Sequence, residues 1–154
     1  MKIFVTVGTT SFDSMVKALD IYFAENPGYE VIYQISDGKY MPKNGHCFEL
    51  VDNINDYYSD ADLIITHAGA GTIYKLLEMS KKIIAIPNFE RIDKHQLDIS
   101  SYMEANNYLL VCWDMSKISM IFDEVNNFSP EPYKKDMFHA YDDLSKHIMS
   151  TYST

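Results

Sequence analysis

The chain has 154 residues, 47% of them apolar, which is enough for one domain with a proper core and too little for two of ordinary size. Its 13 lysines and arginines stand against 22 acids, a formal charge of -9, and Arg91 is the only arginine. That balance excludes nucleic acid, whose phosphates need clustered cations, and it argues against membrane attachment through a basic patch.

Lys2 to Val7 is a short run rich in β-branched residues that ends at Gly8-Thr9-Thr10, and it reads as a buried first strand. Phe12, Met15, Val16, Leu19 and Phe23 then fall at helical spacing, and Asn26-Pro27-Gly28 stops that helix. Strands are expected at Glu30 to Ile35 and about His46 to Val51, a short helix around Ile54 to Tyr58, and a central strand from Ala61 to Thr66. The stretch His67-Ala68-Gly69-Ala70-Gly71-Thr72 leads into a helix with Ile73, Leu76 and Leu77 on one face. Lys82 to Ile86 reads as a strand closed by Pro87, residues 88 to 94 as a polar loop, Gln96 to Asn106 as a helix, and Tyr108 to Cys112 as the last strand. Two further amphipathic faces follow, Ile118, Ile121, Phe122, Val125 and then Met137, Phe138, Tyr141, Leu144, Ile148.

Strands and helices alternating in this way predict an α/β, Rossmann-like fold with a mostly parallel sheet covered on both faces, as a single domain over 1–154. In such sheets ligands bind beyond the carboxyl ends of the strands. The loops after the first, fourth and fifth strands are therefore where chemistry is expected, and they hold the unusual polar and glycine residues.

Glycines in the turn at Gly69 and Gly71 allow an anion close to the backbone, and the helix behind them offers free amides and a positive dipole end. The Thr72 hydroxyl is suited to capping that helix or to bonding a phosphate oxygen. The same composition also serves a plain strand-to-helix turn, and His67 alone reads equally as a turn or core histidine. Gly8-Thr9-Thr10 has the same two readings. In the third loop, Gln96 at a helix start aims an amide at neighbouring hydroxyls, which suits a sugar, with His95 beside it; Asp93 reads as an N-cap. Cys47 and Cys112 lack metal-ligand spacing and read as reduced, buried thiols. No acidic pair suggests a metal. MKIFVTVGTT lacks the apolar region and cleavage site of a signal peptide, and no apolar run approaches a membrane span, so a cytoplasmic location is expected.

Three stretches, FVTVGTTSFDSMVKAL, ADLIITHAGAGTIYKLL and IIAIPN followed by DKHQLDIS, together resemble the glycosyltransferase family 28 carboxy-terminal domain over roughly residues 1 to 113. More narrowly they are similar to its free-standing short form, the catalytic subunit of a two-protein N-acetylglucosaminyltransferase of the dolichol pathway and related bacterial exopolysaccharide and capsule subunits. The resemblance implies the C-terminal half of a GT-B fold that binds a UDP-sugar and an inverting transfer to a lipid-diphosphate-linked acceptor, with acceptor and membrane functions on a membrane-anchored partner subunit. It implies no cofactor other than the UDP-sugar donor, no metal, and recruitment to the cytoplasmic face of a membrane through that partner.

Carried over by position, Gly69, Ala70, Gly71 and Thr72 would hold the diphosphate. Gln96 with His95 would contact the donor sugar, with Asn88 in the same loop counted among the donor-binding residues. Val51 to Ile54, including Asn53 and Ile54, would read uracil through backbone groups. Gly8, Thr9 and Thr10 would face the cleft. His67 and Asp93 are the candidate catalytic bases, alongside a base from the partner. Many relatives carry a glutamate three residues after the motif threonine, where this chain has Lys75, and Ser80 stands where glycine is common. The alternatives are a non-catalytic nucleotide-binding regulatory subunit and a self-contained homodimeric enzyme. The last apolar face, within Lys134 to Tyr152, serves either to dock a partner or to cover the domain's own sheet.

Overall fold

The computed structural model describes residues 1–90 and 94–135. The chain runs β1 (Lys2–Thr6), α1 (Asp13–Glu25), β2 (Glu30–Gln34), β3 (His46–Phe48), α2 (Ile54–Asp60), β4 (Leu63–His67), α3 (Ala70–Glu78), β5 (Lys82–Ile86), α4 (Lys94–Ala105), β6 (Leu110–Val111), a 3-10 turn (Met115–Lys117) and α5 (Ile118–Val125). Among the described residues six strands form one sheet in the order β3-β2-β1-β4-β5-β6, with every pairing parallel.

Because side chains alternate across a strand, each strand feeds two cores. Ile3, Val5, Leu63, Ile65, Ile84 and Ile86 pack with Met15, Leu19 and Phe23 of α1 and with Phe122 and Val125 of α5. Phe4, Ile64, Ile83 and Ala85 pack on the opposite face with Tyr58 of α2, Ile73 and Leu76 of α3 and Met103 of α4. This two-sided burial explains why the strands read as continuous apolar runs.

Expected and observed boundaries differ at a few ends for identifiable reasons. β2 stops at Gln34 because Ser36 turns left-handed, with φ 54°, and the backbone amides of Ile35 and Ser36 bond the carbonyls of Phe48 and Glu49. With its neighbour turning away, β3 ends at Phe48 rather than Val51. The helix expected from Gln96 begins earlier, at Lys94. The stretch 61–66 shifts to Leu63–His67, which places His67 at the end of β4 and Ala70 to Thr72 inside the first turn of α3 rather than in a loop. Arg91, Asp93 and the amphipathic face from Met137 to Ile148 lie outside the described residues. Among the described residues no helix is long and apolar enough to cross a membrane.

Candidate functional site

β1 and β4 lie side by side, and the chain builds outward from them in opposite directions, to β2 and β3 on one flank and β5 and β6 on the other. The loops leaving their carboxyl ends therefore part and leave a crevice, the usual place for a ligand in an open α/β sheet. One wall is the loop after β1. Gly8 takes φ +67°, a left-handed conformation that favours glycine. Its backbone amide bonds Oε1 of Gln34 at 3.1 Å and Oγ1 of Thr6 at 3.2 Å, and its carbonyl accepts from Nε2 of Gln34 at 2.8 Å. Thr9 is exposed and Thr10 half-buried beyond it.

The other wall is the start of α3, where Gly69 is the N-cap residue without a side-chain cap and the first turn holds no acid. The first amides of a helix have no partner within it, so the chain leaves donors here at the positive end of the dipole. Ala70 and Gly71 are exposed, and a Cβ added to Gly71 would meet nothing within 4 Å. Lys75 follows Gly71 by four positions, on the same helix face, and is exposed. Glu78 is drawn away, its carboxylate 2.7 Å from Nζ of Lys135.

His67 fills the space between the walls. A Cβ on Gly8 would lie 2.6 Å from its Cε1, and one on Gly69 would lie 2.4 Å from its Nε2. Gly8 and Gly69 are thus small because an imidazole occupies the place of their side chains, whereas Gly71 alone of the three faces open space. This separates two roles that the motif shared: Gly69 accommodates His67, and Gly71 keeps the helix start accessible. Burial lowers the pKa of His67 below 6.5, opposed by a hydrogen bond with the Thr6 backbone, so the ring is neutral at pH 7.

Thr72 does not cap the helix; its side chain and that of Thr6 lie within hydrogen-bonding reach of the Tyr58 hydroxyl, whose pKa burial raises. Thr6, Gln34 and Tyr58 were not expected at the site. Thr6 and Gln34 are polar residues ending otherwise apolar strands and both are fully buried, the pattern of a hydrogen-bonded pair, and their side chains meet at 2.6 Å.

In the third loop, Asn88 is buried, and its Oδ1 accepts from the Glu90 amide at 2.9 Å. Its own backbone amide donates to Oε1 of Gln96 at 3.0 Å. Gln96 thus commits its oxygen to shaping the loop, a narrower role than an amide free at both ends. His95 is exposed on α4. A small hollow lined by Phe12, Pro87, Phe89, Glu90, Trp113 and Asp114 adjoins this loop. At the opposite flank, Asn53 precedes α2, exposed, with Nδ2 3.1 Å from Oδ2 of Asp56, and Ile54 is half-buried. Among the described residues no group of three or more His, Cys, Asp and Glu side chains is arranged to hold a metal. Cys112 is a buried thiol pushed up to about 11 by desolvation, inert at neutral pH, and Cys47 is half-buried.

The sequence and the fold both have counterparts. Over 122 residues, 71% of this chain, it is 32% identical to the human UDP-N-acetylglucosamine transferase subunit ALG13, of which it spans only 11%. The Acinetobacter baumannii MurG structure superposes with a TM-score of 0.68 at 17% identity, covering 82% of this chain and 41% of that one. A solution structure of ALG13 matches with a TM-score of 0.64 at 17% identity, over 93% of this chain and 94% of that one. The family model "Glycosyltransferase family 28 C-terminal domain" matches residues 2–148. This chain belongs to that family, and its parallel sheet is the counterpart of the C-terminal half of a GT-B glycosyltransferase.

Proposed function

We propose that this chain is the donor-binding, catalytic subunit of an inverting glycosyltransferase that takes UDP-N-acetylglucosamine and transfers the sugar to a lipid-diphosphate-linked acceptor. A membrane-anchored partner subunit supplies the acceptor site and recruits the chain to the cytoplasmic face of the membrane. The observation that carries this reading is the uncapped first turn of α3, open at Gly71 and set beside the Gly8 loop at the crevice between β1 and β4. The donor rests on the name of the human relative, and the acceptor and partner on the family resemblance.

In the reaction the acceptor hydroxyl attacks the anomeric carbon from the face opposite the diphosphate, the bond from that carbon to the β-phosphate oxygen breaks, and UDP leaves. Negative charge grows on the departing diphosphate, where the amides of Ala70, Gly71 and Thr72 stand ready and Lys75 adds a cation on the same face. Such preorganised donors are worth about 2.7–4 kcal/mol each in other enzymes. Gln96 and the Asn88 loop fit the donor sugar, and residues 51–54 fit the base. The acceptor proton needs a base. His67 is neutral and able to accept a proton, but its ring is wedged between Gly8 and Gly69, which suits shaping the walls; Asp93 or a partner residue is the better candidate.

The test is calorimetry of UDP on the purified chain and on Gly71→Asp. Space around Gly71 lets the variant fold, so a lost UDP signal reports a carboxylate in the phosphate site, and unchanged affinity sinks the assignment. A transfer assay with the co-expressed partner distinguishes a catalytic subunit from a regulatory one, and light scattering of the chain alone reads self-association.

A further inference from the structure

The strongest feature outside the phosphate-facing residues is the side chain of Gln34. It is fully buried at the end of β2, and all of its ordinary hydrogen-bonding capacity is used. Oε1 accepts from the Thr6 hydroxyl at 2.6 Å and from the Gly8 amide at 3.1 Å. Nε2 donates to the carbonyl of Gly8 at 2.8 Å and to that of Glu49 at 2.8 Å. One planar amide therefore grips both polar groups of a left-handed glycine and, at the same time, the first residue after β3. The pattern has a single polarity: turning the amide over would set its NH₂ against the Gly8 amide and its oxygen against two carbonyls.

These contacts join segments with separate tasks. Gly8 forms the wall that meets His67 and faces α3, while Glu49 opens the stretch that leads through Val51 and Asn53 into α2. We propose that Gln34 is a positioning residue that locks the Gly8 loop and the 49–54 segment into one unit, holding the wall that faces α3 in register with the base end of the donor cleft. The inference rests on the donor-binding reading above.

The informative variant is Gln34→Glu. Its carboxylate keeps an oxygen for Thr6 and the Gly8 amide but turns a second oxygen on the carbonyls of Gly8 and Glu49, so the link breaks where the two segments meet. Asp20→Asn is the control: Asp20 is also buried and multiply hydrogen-bonded, but it holds Tyr40, Lys43 and Asn44, ahead of β3 rather than beyond it. Calorimetry with UDP should show about tenfold weaker binding for Gln34→Glu, the scale of a lost buried hydrogen bond, and wild-type affinity for Asp20→Asn. Amide hydrogen exchange by NMR should show Gly8 and the 49–54 amides opening together in Gln34→Glu and not in Asp20→Asn. Should Gln34→Glu fail to fold, the isosteric Thr6→Val, which removes one member of the network, should weaken UDP about threefold and loosen the Gly8 amide. Unchanged UDP affinity in a folded Gln34 variant, or the same loss in Asp20→Asn, overturns the proposal, as does exchange in which Gly8 and 49–54 open independently. A wild-type chain that binds no UDP instead defeats the donor reading, and the exchange measurement still decides whether Gln34 couples the two segments.

Discussion

The imidazole of His67 stands where a side chain on Gly69 would have to go, with Nε2 only 2.4 Å from the place of the missing Cβ. The glycine is thereby explained by its neighbour two residues back. Gly69→Ala should cost about 1–3 kcal/mol in urea unfolding, the range for overpacking a close site. Combining it with His67→Ala should recover part of that loss, and strict additivity in the double-mutant cycle would disprove the steric relationship.

Gly71 gives the opposite expectation. It is helical, exposed and unobstructed, so Gly71→Ala should raise stability by up to about 1 kcal/mol through helix propensity. The same variant should weaken UDP binding, since a methyl group then stands in front of the first helix amides. A gain in stability together with unchanged calorimetric affinity would remove Gly71 from the site.

His67 predicts a specific pH dependence. Burial holds its folded pKa below the ordinary 6.5, with the Thr6 backbone bond only partly opposing this. The folded chain therefore binds fewer protons there than the unfolded one. Stability from the neutral ring is complete above pH 6.5 and is lost as pH falls through the lower folded value. Melting temperatures of the wild type should decline with acid below pH 6.5 more steeply than those of His67→Gln; parallel curves would count against a buried neutral ring.

Asp20 acts at lower pH. Desolvation pushes its carboxyl up, but hydrogen bonds from the Tyr40 hydroxyl, the Asn44 and Lys43 amides and the Asn44 side chain outweigh it and leave the folded pKa below 3.8. That stabilisation is present above pH 3.8 and disappears as pH falls through the folded value. Asp20→Asn should cost about 1–3 kcal/mol near neutrality and flatten the acid limb of the unfolding curve.

Lys75 is tested by charge. On the face that Gly71 opens, its ammonium is placed to attract a diphosphate across solvent. Lys75→Ala should weaken UDP about threefold and Lys75→Glu further, with the difference shrinking as salt rises. Titrations at two ionic strengths that show no salt effect would assign Lys75 to ordinary surface.

The order of strands and helices, and so the sheet edge on which the candidate site lies, was legible because apolar runs bounded by turn residues encode it directly. The open helix start was legible only in part, since Gly-Ala-Gly-Thr after a strand serves a plain turn as well and gained weight from the polar loops on the same sheet edge. The division of labour between Gly69 and Gly71 was not legible, because it depends on where the His67 ring lies. Nor was Gln34 visible: its partners Thr6 and Gly8 lie 28 and 26 residues before it, and only the parallel pairing of β1 with β2 brings them together. Gln96 was picked out, but its bond to the Asn88 amide requires knowing how the third loop folds back. Asp93 lies outside the described residues, so its candidacy as base stays a reading of the sequence.

The missing cap on α3 also has a thermodynamic side. A Ser, Thr, Asp or Asn at the N-cap typically adds about 1 kcal/mol to a helix, and Gly69 offers no side chain for that purpose. A diphosphate seated on those amides would serve as the cap in trans and would bind the folded chain alone. Saturating donor then becomes a folding ligand, worth about 2.7 kcal/mol at a hundred times its dissociation constant. Melting shifts across a panel of nucleotide sugars would rank the donors on this chain by itself.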